Sequence, residues 1–246
     1  LSARIEGGSF GTIGGGARTA GASGAFDYAI SGSYYGTDGY PTARGGTRDV
    51  GSDSIGATAK VNWTPGEAFK LTGVLRYSHT NADTNNSEFN PANLLFGYTV
   101  DSPGVYFKNE AFFGLLSAQL TALDGRWINT LSGQFADTKR KGFSPFGLDY
   151  GNKGQRYKGS FTSALSFGTD AVTHRLTGAV DVERENFRTL TPGGFPGEKH
   201  ANNLGIVGQY ELLAGDLSLG ASLRYDDNNR FDDATTWRVQ GSYRLP

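Results

Sequence analysis

Three features of the sequence indicate an antiparallel, all-β fold of the up-and-down type. Apolar and polar residues alternate with a period of two along most of the 246 residues. Short, small-residue turns alternate with longer polar connections. No stretch combines the helical hydrophobic period with capping residues. Because connections of alternating length gather the short turns at one end of a sheet, the pattern is typical of a membrane β-barrel.

Twelve segments carry the alternation, and each predicts one strand. In the third segment Phe26, Tyr28 and Ile30 occupy one parity, while Asp27 and Ser31 occupy the other. Successive side chains of a strand point to opposite faces, so each strand presents one apolar and one polar face. In chain order the predicted strands are 2–8, 11–20, 25–35, 54–64, 69–78, 107–122, 127–137, 156–167, 173–187, 203–213, 217–225 and 235–245.

The predicted connections fall into two groups. Tight turns are expected at 21–24, 65–67, 123–126, 168–171 and 214–216, where glycine, aspartate and other small residues favour hairpins. Longer polar connections are expected at 37–53, 80–106, 138–155, 186–203 and 226–234. Aromatic residues close to the tight turns predict an interfacial girdle: Trp63, Phe69, Trp127, Phe167 and Tyr210.

The two faces of the sheet are expected to meet different surroundings. The side chains expected to face lipid are Phe26, Ile30, Leu176, Val180, Leu217, Leu219, Val239 and Tyr243. Those expected to face the barrel lumen are Arg76, Arg175, Asp181, Arg224 and Arg238. A soluble β-sandwich is the alternative, but its loops need not sort by length between the two ends. The charged residues of the polar parity favour a wet or plugged lumen.

Composition excludes several classes of function. The net charge of −1 argues against non-specific electrostatic binding of nucleic acid. Since cysteine is absent, the chain has neither a disulfide framework nor a thiolate zinc site. The glycine-rich run 11–17 lacks dinucleotide-binding spacing and a P-loop lysine, and it opens no helix. We therefore expect no enzyme and no cofactor.

The titratable residues predict no metal site either. His79, His174 and His200 share no metal-ligand spacing. The early polar connection offers only Asp49 and Asp53 as carboxylates, and calcium prefers six to eight oxygens. We interpret both as solvated loop residues.

Four segments resemble a known family. Residues 5–12 (IEGGSFGT) and 34–40 (YYGTDGY) resemble the first barrel hairpins of TonB-dependent outer-membrane receptors. Residues 223–231 (LRYDDNNRF) with 235–238 (TTWR) resemble a mid-barrel hairpin of that family. The order of turns is most similar to the cobalamin receptor branch, and the resemblance covers essentially the whole chain.

The resemblance implies a barrel of about 22 strands around a plug. Residues 1–246 would then be one partial barrel domain, its first twelve strands, without the plug, the energy-coupling box or the C-terminal strands. The first and last strands would have open edges.

The resemblance also implies a function, namely high-affinity uptake of a scarce, bulky nutrient across the bacterial outer membrane. The nutrient would be a cobalamin-type corrinoid or a ferric siderophore. The implied partners are outer-membrane lipid, the bulky ligand and the TonB energy-coupling protein, the last through the missing N-terminal region. The alternative is a passive porin or another outer-membrane barrel without a plug.

The candidate ligand contacts lie in the two longest predicted connections, 80–106 and 138–155. We expect Arg140 and Tyr150 to be the anchors, because cationic and aromatic side chains dominate binding hot spots. We expect Asn85 and Asn86 to supply hydrogen bonds near the tip of the earlier connection.

Overall fold

The computed structural model describes residues 1–194 and 197–245, which form fourteen strands. Twelve of them make one antiparallel sheet, and the remaining two, each of two residues, pair with each other. No helix long and apolar enough to cross a membrane occurs in the described residues. The strands are β1 (Ser2–Gly8), β2 (Thr12–Ser23), β3 (Phe26–Thr37), β4 (Ser52–Gly66), β5 (Phe69–Asp83), β6 (Asn86–Ser87), β7 (Thr99–Val100), β8 (Tyr106–Ala122), β9 (Trp127–Ser144), β10 (Gly147–Gly168), β11 (Val172–Thr189), β12 (Glu198–Ala214), β13 (Leu217–Asn228) and β14 (Ala234–Tyr243).

The twelve strands of the sheet follow one another in chain order, with β8 next to β5. All twelve predicted strands are therefore confirmed, as is the up-and-down topology. Strands β1 and β14 each pair on one side only, so the sheet is open across the described residues. The predicted open edges are confirmed.

The cross-strand register sorts the side chains onto two faces. Val180 lies opposite Phe161 on one neighbouring strand and Ile206 on the other. Directly opposed residues of antiparallel strands point to the same side, so this register continues across the sheet as one apolar face. All eight residues predicted to face lipid lie on this apolar face, and all five predicted lumen residues lie on the opposite, polar face.

The apolar face has no second layer packed on it among the described residues. Leu176 is 48 %, Val180 41 % and Val239 71 % exposed, and within residues 1–194 and 197–245 the buried hydrophobic residues are Ala82, Val105 and Ala164. A soluble sandwich would bury such an apolar face against a second sheet. The arrangement therefore favours the membrane barrel over the sandwich, because lipid would cover this face.

Aromatic rings line the apolar face near the short turns. Trp63 stacks on Phe26 with ring centroids 6.0 Å apart and meets Phe69 edge-on at 5.8 Å. Farther along, the His174 ring lies between Phe167, at 5.1 Å, and Tyr210, at 6.0 Å. The predicted girdle residues thus lie on one face and at one end of the sheet, as an interfacial belt requires.

One predicted connection is wrong. Residues 138–155 do not form a long loop, because β9 and β10 stay paired up to a two-residue turn at Pro145 and Phe146. A bulge between Leu148 and Tyr150 shifts the register by one residue. The extra residue breaks the alternation of apolar and polar residues in this projecting hairpin, and the sequence therefore resembles that of a loop. The strict alternation of short and long connections therefore fails at this hairpin.

The other long connections are present but shorter than predicted. They comprise residues 38–51, 84–105 and 229–233, and they share one end of the sheet, which we call the loop end. The predicted connection 186–203 contains Phe195 and Pro196, which lie outside the described residues.

Candidate ligand-binding site

The structure brings Arg140 and Tyr150 together, whereas Asn85 and Asn86 contact residues of the two long connections. Asn85 and Asn86 follow the end of β5, whereas Arg140 lies in β9 and Tyr150 in β10. The sheet order β5, β8, β9, β10 makes these strands consecutive neighbours. Arg140 lies within β9, whereas the predicted strand ended at residue 137 and placed Arg140 in the connection after it.

Arg140 lies between two aromatic rings. Its guanidinium carbon is 5.7 Å from the centroid of Phe107 and 6.0 Å from that of Tyr150. Both distances suit a cation–π contact. Phe107 was not among the predicted contacts, because its position on β8 relative to β9 depends on the strand register and not on the local sequence.

Gly142 makes this arrangement possible. It lies opposite Phe107 on one side and opposite Tyr150 on the other. A Cβ at residue 142 would overlap the Tyr150 ring, so the ring occupies the space that the missing side chain leaves open. The cluster Phe107–Arg140–Gly142–Tyr150 is therefore built across three strands of the polar face, and we call it the Arg140 cluster.

The Arg140 cluster is open to solvent. Tyr150 is 40 % exposed, and Arg140 is also exposed. A guanidinium presents several N–H donors in one plane and binds carboxylate and similar paired oxygens bidentately. With two rings beside it, the cluster can hold an anionic, partly aromatic ligand by charge, hydrogen bonds and stacking.

The side chain of Asn85 is engaged within the protein. Its Oδ1 accepts hydrogen bonds from Arg48 Nη1 at 2.9 Å and from the Ser102 backbone N–H at 3.0 Å, and its Nδ2 donates to Thr42 at 3.2 Å. These bonds tie the connection 38–51 to the connection 84–105. In contrast, Asn86 is exposed, and its backbone N–H donates to Ser102 Oγ at 3.0 Å.

Arg48 and Asp101 strengthen the joint between the same two connections. Arg48 also donates to the carbonyls of Thr84, at 2.9 Å, and Val105, at 3.2 Å, and it pairs with Asp83 at 3.1 Å. The Asp101 carboxylate accepts from two backbone N–H groups of the earlier connection. The two connections therefore form a single folded unit.

A charged network crosses the polar face below the site. On β10 and β11 it joins Arg156 to Glu183 at 2.5 Å and Lys158 to Glu183 at 3.5 Å. On β13 Arg224 pairs with Asp181 at 3.2 Å and with Asp226 at 2.5 Å. Asp181 and Arg224 were predicted to share a face, but their contact was not, since they lie on strands separated by β12.

Acidic side chains gather in a cavity of about 570 Å³ at the loop end of β3 to β5. Asp49 and Asp53 line it together with Asp38 and Asp83. The structure thus brings two predicted solvated aspartates near two others from distant sequence. No group of three or more potential metal-ligating side chains with suitable geometry is found in residues 1–194 and 197–245.

No protein-family model matches the sequence, and no curated protein is significantly similar to it. Solved structures are similar in fold. A siderophore receptor, PirA of Pseudomonas aeruginosa, matches 99 % of this chain over 39 % of its own, with a TM-score of 0.70 and 14 % identity. The alcaligin outer-membrane receptor FauA of Bordetella pertussis matches 99 % of this chain over 41 % of its own, with a TM-score of 0.69 and 13 % identity.

A third solved structure belongs to the outer-membrane transporter YddB of Escherichia coli. It matches 95 % of this chain over 36 % of its own, with a TM-score of 0.67 and 10 % identity. The chain therefore spans well under half of each of these three structures. At such low identity the likeness establishes the architecture alone, and this chain has the fold of part of an outer-membrane receptor or transporter barrel.

Proposed function

We propose that the chain is part of the barrel of a TonB-dependent receptor in the bacterial outer membrane. The observation that carries this proposal is the open twelve-stranded sheet with one continuous apolar face, matched over nearly its whole length by receptor structures. The complete barrel would have about 22 strands and enclose a plug. Its partners would be lipid, a bulky ligand and the energy-coupling protein.

We propose that the function is uptake without chemical conversion of the ligand. The Arg140 cluster has groups that bind and none that is arranged as a nucleophile with a general base. Arg140, Tyr150 and Asn86 would contact the ligand directly. Asn85 would act by holding the two long connections in place.

The ligand class that we favour is a ferric siderophore. Two structures of similar fold are described as a siderophore receptor and as an alcaligin receptor. The anionic oxygens of iron chelates suit the exposed guanidinium of Arg140. The cobalamin-type alternative has no comparable support, because the resemblance to that branch rests on turn order alone.

Energy-dependent uptake tests the proposal. Cells that make the complete receptor would be given radioiron as hydroxamate, catecholate or citrate complexes, with labelled cyanocobalamin as the corrinoid arm. We expect saturable uptake of one iron complex that disappears when the energy-coupling protein is deleted. Uptake that is non-saturable and unaffected by the deletion would support the passive porin and reject the receptor.

A further inference from the structure

Six cationic side chains lie near the loop end of the apolar face, on strands β8 to β11. They are Lys108, Lys139, Lys141, Lys153, Arg184 and Arg188, and we call them the basic patch. Lys139 and Lys141 flank Arg140 in sequence, but the alternation of a strand turns them to the opposite side of the sheet. They therefore do not belong to the Arg140 cluster.

The basic patch places like charges directly opposite each other. Lys108 lies opposite Lys141, while Lys153 lies opposite both Lys139 and Arg188. Like charges in directly opposed positions destabilise an antiparallel pair of strands. The arrangement therefore favours an anion that lies between these side chains.

Carboxylates of the protein neutralise only part of this charge. The same rows of the apolar face contain Glu110, Asp137 and Glu198. Asp137 pairs with Lys153 at 3.2 Å. With six cationic and three anionic side chains, the basic patch has a net charge of +3.

An apolar groove begins beside the basic patch on the same face. Its volume is about 1220 Å³, and Leu116, Phe135 and Val182 line it, with Gly133 and Gly159 at its floor. Phe135 and Lys139 lie four residues apart on β9, which corresponds to roughly 13 Å along a strand. An elongated molecule with an apolar chain and an anionic head group fits both features together.

We propose that the basic patch and the groove form a binding surface for phosphate-bearing lipid of the leaflet at the loop end. The head-group phosphates lie among Lys108, Lys139 and Lys141, and an acyl chain occupies the groove. Basic clusters at the edge of an apolar band attract anionic lipid in this way. The occupant is a lipid and not free phosphate, because the groove supplies apolar surface that phosphate cannot use. This inference rests on the proposed membrane location.

The test uses the complete receptor, purified in uncharged detergent. Native mass spectrometry would count bound phosphatidylglycerol and bound phosphatidylcholine of the same chain length, with inorganic phosphate as competitor. We expect Lys139→Gln with Lys141→Gln to weaken phosphatidylglycerol binding about tenfold or more. The matched control is Lys60→Gln with Lys70→Gln, which removes the same charge from the polar face and should leave binding unchanged.

A second variant tests the groove without changing charge. Gly133→Leu should fill the groove, since nothing lies within 4 Å of a Cβ at that position, and should also weaken phosphatidylglycerol binding. Equal binding by wild type and both test variants would overturn the proposal, as would displacement of the lipid by inorganic phosphate. Heat-modifiable electrophoretic mobility reports barrel assembly for each variant. If the receptor takes up no ligand but still binds phosphatidylglycerol, the proposed function is rejected and the proposed lipid-binding surface is retained.

Discussion

Arg224 on β13 reaches across the intervening strand β12 to Asp181 on β11, where its Nη1 lies 3.2 Å from the carboxylate Oδ1. The crossing point is Gly205, which lies opposite Asp181 on one side and Asp226 on the other. A Cβ at residue 205 would overlap the Arg224 guanidinium. The absence of a side chain on β12 therefore allows three strands to share one ion-pair network.

Gly205→Ala should separate Arg224 from Asp181. In an ordinary strand conformation alanine gains about 0.4–1 kcal/mol over glycine through the unfolded chain. At residue 205 we expect the loss of the Arg224–Asp181 ion pair to cancel this gain, because a partly exposed ion pair contributes a similar free energy. The measurement is the free energy of unfolding of the complete barrel in lipid vesicles, from urea titration.

Gly208→Ala on the same strand is the matched control. Nothing lies within 4 Å of a Cβ at residue 208, so this variant should be stabilised by the full amount. If both variants are stabilised equally, the path of Arg224 over Gly205 is not energetically significant.

The assignment of faces is tested by placing arginine on either side of one strand. Val180 lies on the apolar face, and its neighbour Ala179 lies on the polar face. Val180→Arg should destabilise the complete barrel by about 2–4 kcal/mol, as expected for arginine near the bilayer midplane. Ala179→Arg should have a much smaller effect in the same urea titration. A larger cost for Ala179→Arg would show that the faces are reversed.

Arg48→Ala should loosen the unit formed by connections 38–51 and 84–105. The change removes the hydrogen bonds to Thr84, Asn85 and Val105 and the ion pair with Asp83. We expect backbone hydrogen exchange in residues 84–105 to quicken by about tenfold or more. Arg18→Ala serves as control, since Arg18 is an exposed residue of β2. Unchanged exchange after Arg48→Ala would mean that other contacts hold the unit.

The period-two pattern was enough to predict the strands and their faces. Val180 and Asp181 were assigned to opposite sides from alternation alone, and the register confirms the assignment. The projecting hairpin was missed because Gly142, Gly147 and Gly151 interrupt its alternation and a bulge shifts its phase. The alternation of apolar and polar residues cannot reveal a strand segment that is defined mainly by its hydrogen bonds to the neighbouring strand.

The candidate site was predicted only in part for a related reason. Arg140 and Tyr150 could be selected by residue type, but Phe107 and Gly142 join them through cross-strand register. Asn85 looked like a free hydrogen-bonding residue, and its engagement with Arg48 depends on how two distant connections fold together. Such contacts become visible only once strand pairing is known.

Gly142→Ala tests the geometry of the Arg140 cluster. The added methyl group would overlap the Tyr150 ring and displace it from its place beside Arg140. We expect ligand affinity to fall by about as much as in Tyr150→Ala. Gly133→Ala on the same strand has open space for its methyl group and should bind ligand like wild type. A Gly142→Ala receptor with normal affinity would show that the position of Tyr150 does not matter for binding.

Equilibrium binding to the complete receptor in membranes tests whether the Arg140 cluster holds the ligand. The radioiron complex taken up by cells would be titrated against wild type and against Arg140→Ala, Tyr150→Ala and Asn86→Ala, with barrel assembly checked by electrophoretic mobility. We predict that Arg140→Ala and Tyr150→Ala each weaken binding about tenfold or more, as for central anchors of a binding site, and that Asn86→Ala weakens it less. Wild-type affinity in all three assembled variants would show that the Arg140 cluster is not the ligand-binding site.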